Sequence, residues 1–158
     1  MRILVFGATG MLGHTLIKYL QTQKNIIVEF TVRDKTKLKK CKKIFGKEPK
    51  YIVNASNPKS ALFAINKFKP DFCVNCIGFL KQKDESKYYS EYININSLFP
   101  HHLAQYCTEN KSRLIHISTD GVYSGIRGNY TEDDIPDPVD FYCRSKLLGE
   151  LGNKKGIT

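Results

Sequence analysis

The chain of 158 residues is 41% hydrophobic and 25% charged, with eleven Gly and six Pro. This excludes collagen-like, disordered and membrane-spanning classes and fits one soluble globular domain able to bury roughly 68–70% of its unfolded surface. Net charge is +10, but residues 33–50 carry nine Lys or Arg against Asp34 and Glu48, so most of the excess lies in one short stretch.

That stretch reads as a solvated lysine-rich helix face. No aromatics alternate with the lysines to stack bases, and no apolar run nears the ~20 residues of a bilayer span, so neither nucleic acid nor membrane is expected as a partner. Met1–Gly7 lacks the longer apolar stretch of a secretory signal, which makes the cytoplasm the expected compartment. Five cysteines at irregular spacing (Cys41, Cys73, Cys76, Cys107, Cys143) read as reduced thiols rather than a disulfide framework.

In chain order, short β-branched runs alternate with helical-length segments, the pattern of βαβ units and a doubly wound parallel sheet. The first expected strand, Arg2–Phe6, runs straight into Gly7-Ala-Thr-Gly10-Met-Leu-Gly13 and an expected helix Met11–Gln23 with a Leu12, Leu16, Ile17, Leu20 stripe. Three glycines between a strand and a helix suit a dinucleotide pyrophosphate: Gly7 for a tight turn, Gly10 for close backbone approach, Gly13 for helix–strand packing. The second strand, Ile26–Val32, ends at Arg33-Asp34. There an acid would hold a ribose 2′-hydroxyl and an arginine a 2′-phosphate; Lys35 and Lys37 tip the field toward NADPH, with NADH kept open.

A helix over Thr36–Phe45, a strand over Lys50–Asn54, a helix over Lys59–Phe68 and a strand over Asp71–Ile77 follow. A long helix over Tyr88–Asn110 then leads to a fifth strand, Arg113–Ser118. Gly121–Asp140 is the longest loop, polar and turn-rich, of a length that usually serves a site. The last expected helix, Asp140–Lys155, is followed by Gly156-Ile-Thr158, which reads as the start of a sixth strand cut short and suggests a fragment.

The last helix carries Tyr142-Cys-Arg-Ser-Lys146, a Tyr and a Lys at i, i+4 on one face. An ammonium beside a phenol stabilises the phenolate and brings the group toward neutral pH for proton transfer. Ser118-Thr119-Asp120 at the end of the fifth strand joins this set. Cys73 and Cys76 have redox-type spacing but lie in an apolar strand, so inert thiols are expected. The adjacent pair His101-His102 cannot face one metal, and the acids around Glu132–Asp140 suit a solvated loop, so no metal is expected.

Together Gly7–Gly13, Asn75-Cys-Ile-Gly78, Asn96, Ser118–Gly125, Tyr130–Asp134 and Tyr142–Glu150 resemble the amino-terminal portion of an extended short-chain dehydrogenase of the dTDP-4-dehydrorhamnose reductase type. The resemblance implies one NAD(P)-binding Rossmann-type domain over 1–158, five strands plus a truncated sixth, with the substrate-binding part largely absent. It also implies reduction of a keto group on a nucleotide-linked sugar, as in making a deoxysugar for surface polysaccharide. Thr119, Tyr142 and Lys146 would be the catalytic set, with Ser118 able to share the role of Thr119. Cofactor contacts would come from Gly7, Thr9, Gly10, Met11, Leu12, Gly13, Arg33, Asn75, Cys76, Ile77, Gly78, Asn96, Ser118, Tyr142 and Lys146. A nucleotide-sugar substrate and a homodimer are the expected partners.

Phe79–Ser86 departs from the usual run of the rhamnose-pathway enzyme, which leaves the sugar open. Gly121 stands where related dehydratases carry a glutamate, which argues against dehydration. An epimerase of the same superfamily, or a noncatalytic cofactor-binding subunit like the methionine adenosyltransferase regulatory subunit, remain the alternatives.

Overall fold

The computed structural model describes residues 1–81 and 83–152. Five strands, β1 (Arg2–Phe6), β2 (Ile27–Val32), β3 (Tyr51–Ile52), β4 (Phe72–Asn75) and β5 (Arg113–His116), form one parallel sheet in the order β3-β2-β1-β4-β5. The central strand β1 pairs Ile3 with Val28 on one side and with Phe72 on the other.

Side chains alternate across a strand, so β1 feeds two cores. Leu4 and Phe6 enter a cluster with Ala61, Ile65, Leu103 and Leu114, while Ile3 and Val5 enter another with Ile17, Leu20, Phe30 and Phe45. Both faces are covered, which is why the strand reads as an unbroken apolar run rather than an alternating one. Each buried aliphatic or aromatic side chain of this strand contributes about 2 kcal/mol of transfer free energy.

Helices α1 (Met11–Gln21) and α2 (Leu38–Phe45) cover one face; α3 (Lys59–Phe68) and α5 (Phe99–Glu109) cover the other. In α2 only Cys41 and Phe45 are buried, so its lysines point outward as their density suggests. Lys47 and Lys50 behave differently. Both lie 3.2 Å from a carboxylate oxygen of Glu29, which is buried on β2, so part of the basic stretch neutralises an interior charge.

Several elements end earlier than the residue pattern suggests. β3 keeps two residues, although the Val53 amide still reaches Val32 O at 2.8 Å, because Asn54 turns into the Ser60 hydroxyl. β4 stops at Asn75 and β5 at His116, where the chain leaves the sheet toward the site. The final helix α6 (Phe141–Leu148) has Asp140 as its cap and ends at Gly149; the expected sixth strand lies outside the described residues.

The expected helix over Tyr88–Asn110 is four pieces: a 3-10 turn Glu85–Tyr88, a single turn α4 (Tyr89–Glu91), a π-helical segment Tyr92–Leu98, and α5. Pro100 has no N–H to offer the Asn96 carbonyl, which an unbroken α-helix would require. Gly149 instead packs against that carbonyl so closely that a Cβ there would overlap it. The π segment is therefore the seat on which α6 rests.

Candidate nucleotide cavity and proton-transfer site

A cavity of about 320 Å³ opens beyond the carboxyl ends of β1 to β4, where a doubly wound sheet places its ligands. Its floor is Gly7, Thr9 and Gly10 after β1. Gly7 has φ +91°, and a Cβ on Gly13 would overlap the Gly7 carbonyl, so helix α1 sits directly on the turn. Gly10 caps α1 without any side-chain hydrogen bond, which leaves the first amides of the helix and its positive end for an anion. Thr31 adds a buried hydroxyl that has no partner and lines the same cavity. A glycine cradle that excludes a Cβ, a helix end without a capping side chain and an orphan hydroxyl fit a dinucleotide.

Arg33 and Lys37 form the cationic rim at the end of β2. Asp34 is turned away: its carboxylate accepts from the Thr36 amide at 3.0 Å and from the Thr36 hydroxyl, and lies 3.6 Å from Arg33. Those hydrogen bonds hold its pKa below the ordinary carboxylate range. Cys76, Ile77, Gly78 and Phe79 form the opposite wall, and burial pushes the Cys76 thiol up to about 11, so it stays neutral.

Of the expected cofactor contacts, Gly7, Thr9, Gly10, Arg33, Cys76, Ile77 and Gly78 line the cavity. Met11 and Leu12 are exposed at the helix start, and Gly13 packs beneath. Asn75 and Asn96 do not line the cavity. Asn75 is fully buried, donates to His116 Nδ1 at 3.0 Å and accepts from the Ile77 amide at 3.1 Å. Asn96 accepts from the Phe79 amide at 2.7 Å and donates to the Phe79 carbonyl at 2.9 Å and to Ser145 Oγ at 3.0 Å. Both side chains thus support the wall from behind, Asn75 through His116 and the Ile77 amide and Asn96 through the Phe79 backbone and Ser145. Lys37, expected only as part of the local field, lines the cavity, and lining residues missed in the sequence are Thr31, Val32, Val53, Asn54, Ala55, Phe79 and Ile95. Their one signal was position at a strand's carboxyl end or on its facing helix.

The second part of the site lies beyond β5. Thr119 stands beside the Tyr142 phenol and favours its ionised form, while its hydroxyl donates to Asp120 at 3.2 Å and accepts from the Gly121 amide at 3.2 Å. Asp140 caps α6 through the Cys143 amide at 2.7 Å, which places Tyr142 in the first turn and Lys146 one turn on. Lys146 is buried and donates to Ile117 O at 2.6 Å. Burial lowers its pKa to about 8, a value at which it is still mainly protonated at neutral pH. Here the expected lowering of the phenol is absent: burial pushes Tyr142 above 10, partly opposed by Thr119, since the ammonium is directed at a carbonyl. The Ser118 hydroxyl, which the resemblance offers as a sharer of Thr119's role, donates to Glu150 at 2.6 Å. At Gly121 a Cβ would stand 2.7 Å from Cys143 Sγ, so a glutamate there would require that thiol to shift.

His116, which the residue pattern did not single out, is buried on β5 between the two parts. Burial and the Lys146 cation lower its pKa to about 3, so it is a neutral hydrogen-bond partner of Asn75. Tyr92, also fully buried, joins the parts on the other side, with its ring 5.1 Å from Phe79 and 6.2 Å from Tyr142.

The family model described as "RmlD substrate binding domain" matches residues 1–155. A dTDP-4-keto-6-deoxy-D-glucose reductase of Streptomyces niveus is 27% identical over 150 residues, 94% of this chain and 46% of that protein. A methionine adenosyltransferase 2 subunit beta of Danio rerio is 30% identical over 154 residues, 94% of this chain and 42% of that one. Among solved structures, a dTDP-4-dehydrorhamnose reductase of Clostridium acetobutylicum superposes with a TM-score of 0.74 at 26% identity, covering 94% of this chain and 47% of that one. The chain thus spans about half the length of the curated relatives it matches. With a parallel five-stranded Rossmann-type sheet and a family match over almost its whole length, the chain belongs to the RmlD substrate-binding-domain family and is similar to the dTDP-4-dehydrorhamnose reductases.

Proposed function

We propose that this chain is the cofactor-binding and proton-donating part of an NADPH-preferring ketoreductase acting on a nucleotide-linked deoxysugar. The observation that carries the reading is Tyr142 and Lys146 one turn apart on α6, joined through Tyr92 and Phe79 to the wall of a cavity built on a glycine cradle. When bound, the nicotinamide supplies the hydride. Tyr142 gives its proton to the carbonyl oxygen, so the product is an alcohol and the phenolate regains a proton from solvent. Thr119 would hold the same oxygen, and Lys146, whose ammonium donates to the Ile117 carbonyl, would hold the nicotinamide ribose. A phenol at or above its ordinary pKa suits a proton donor, because it stays protonated until the oxygen gains charge.

Preference for NADPH is supported by Arg33 and Lys37 on the cavity rim and by the engagement of Asp34 as a cap, which removes the acid that would take a ribose hydroxyl. A fluorescence titration with NADPH and NADH tests this: saturable binding with NADPH tighter is expected, and equal or absent binding overturns it. Oxidation of NADPH on adding a 4-keto-6-deoxy nucleotide sugar tests the reaction in a protein that includes the remaining half. The similarity to methionine adenosyltransferase subunits keeps a noncatalytic cofactor-binding role as the second reading, which tight NADPH binding without turnover of any keto sugar would favour.

A further inference from the structure

The run Phe79–Ser86, which departs from the reductase pattern, leads into the segment that meets the amino end of α6. Lys81 Nζ lies 2.6 Å from Asp140 Oδ2, while the other oxygen of Asp140 caps Cys143. Glu85 accepts from the Phe141 amide at 3.2 Å, so the first turn of α6 has two carboxylates, one local and one brought from 56 residues away. The ring of Tyr89 lies on Phe141 with centroids 4.1 Å apart, and buried Tyr92 touches Phe141, Tyr142 and Phe79. Phe79 is itself a wall of the nucleotide cavity, held at both its amide and carbonyl by Asn96. An unbroken set of contacts therefore runs from the cavity wall to the turn that carries Tyr142.

We propose that Lys81 and Glu85 are positioning residues that fix the first turn of α6, and with it the Tyr142 phenol, against the wall of the nucleotide cavity. The proposal rests on the reading of Tyr142 as proton donor only for its consequence in turnover; the positioning itself needs no reaction. Helix α6 is only two turns long and carries little apolar burial of its own, with Cys143, Ser145 and Lys146 its buried residues, so its orientation has to come from partners. Two ends supply them: Asn96 and Ser97 grip Ser145 from the π segment, and Lys81 and Glu85 grip the amino end. The groups facing the phenol are Thr119, Asp120, Asp140 and Cys143; beyond burial, which raises its pKa most, Cys143, Asp140 and Asp120 raise it and Thr119 lowers it, and Lys81 offsets the Asp140 carboxylate.

The test uses the 158-residue chain with 13Cζ-labelled tyrosine, Tyr142 being assigned by its loss in Tyr142→Phe. Lys81→Met removes a cation whose side chain is 61% exposed, so the fold is expected to survive. Its Tyr142 titration is expected to rise by about 0.3–0.5 pH unit, and the Tyr92–Tyr142 ring NOE to weaken. Lys81→Arg should restore both. In an Asp140→Asn background the Lys81→Met shift should fall to less than half. Glu85→Ala should weaken the same NOE while Glu85→Gln, which keeps an acceptor for the Phe141 amide, should not. NADPH affinity should stay within about twofold in the Lys81 variants, because Lys81 does not line the cavity. An unchanged titration and NOE in Lys81→Met and Glu85→Ala overturns the proposal. Shifts as expected alongside full turnover in Tyr142→Phe would leave the positioning standing and overturn the assigned proton donor instead.

Discussion

The nucleotide cradle and the proton-transfer site lie at the same edge of the sheet but are held together by different means. The cradle is largely local: Gly7 to Gly13 close on themselves, with the Gly10 amide on the Gly7 carbonyl at 3.2 Å, and the Ala8 amide ties them to β2 at the Thr31 carbonyl, 3.0 Å away. The proton-transfer site is assembled from distant pieces. Lys146 leans on Ile117, Ser145 on Asn96, Asp140 on Lys81, and His116 on Asn75, each pair separated by 29 to 59 residues. A local motif can fail only by steric insult, whereas an assembled one can lose its alignment while the fold persists.

That contrast can be broken at either end. The largest effect is expected from Tyr142→Phe in a protein with the remaining half. Turnover of the keto sugar should fall by about 10²–10⁴-fold, while NADPH affinity, read by fluorescence, changes only a few-fold, since only the transferable proton is lost. Gly13→Ala strikes the cradle itself. Its Cβ meets the Gly7 backbone, which cannot swing aside like a side chain, so denaturant unfolding should show a loss of about 3 kcal/mol together with loss of NADPH binding.

His116 sharpens the comparison through pH. Its folded pKa of about 3 lies below the ordinary 6.5, so the unfolded chain binds the proton first as pH falls. Its contribution to stability is therefore intact above 6.5 and is lost progressively down to 3, by about 1 kcal/mol per pH unit. Urea unfolding across that window should show the slope, and His116→Gln should flatten it relative to the parent. The smallest effect belongs to the rim: Arg33→Ala should weaken NADPH about tenfold and NADH hardly at all, since one charge-assisted contact to the extra phosphate is removed. Equal losses for both cofactors would remove the arginine from that role.

The local half was legible from residue order because its physics is local. A strand that ends in Gly7 and a helix that opens at Met11 leave few alternatives, and the continuous apolar run of β1 could be assigned to a covered parallel strand without knowing its neighbours. Thr119, Tyr142 and Lys146 could be picked out as types, but not their partners. Nothing near Lys146 in sequence announces that its ammonium will meet the Ile117 carbonyl, and a polar Thr31 inside an apolar strand carries no mark of facing a cavity. Asn75 and Asn96 enter the expected cofactor set only through the family resemblance; in the fold Asn75 bonds His116 and the Ile77 amide, and Asn96 bonds the Phe79 backbone and Ser145, pairings that nothing in the residue order marks. The break in the long helix was written in Pro100, yet its length favoured one continuous element.

The π segment has a consequence for how insertions and deletions would be tolerated. Tyr92–Leu98 holds one residue more per hydrogen-bonded loop than an α-helix, so removing a single residue there would let the backbone relax into the commoner helix. The shortened helix would gain regularity, but every side chain before the deletion would rotate around the axis relative to α5. Asn96 and Ser97 would no longer face Ser145, and the carbonyl on which Gly149 rests would turn elsewhere. The extra residue is thus a phase offset between two helical ends, retained against the local preference of the chain so that the element bearing Tyr142 has a place to dock.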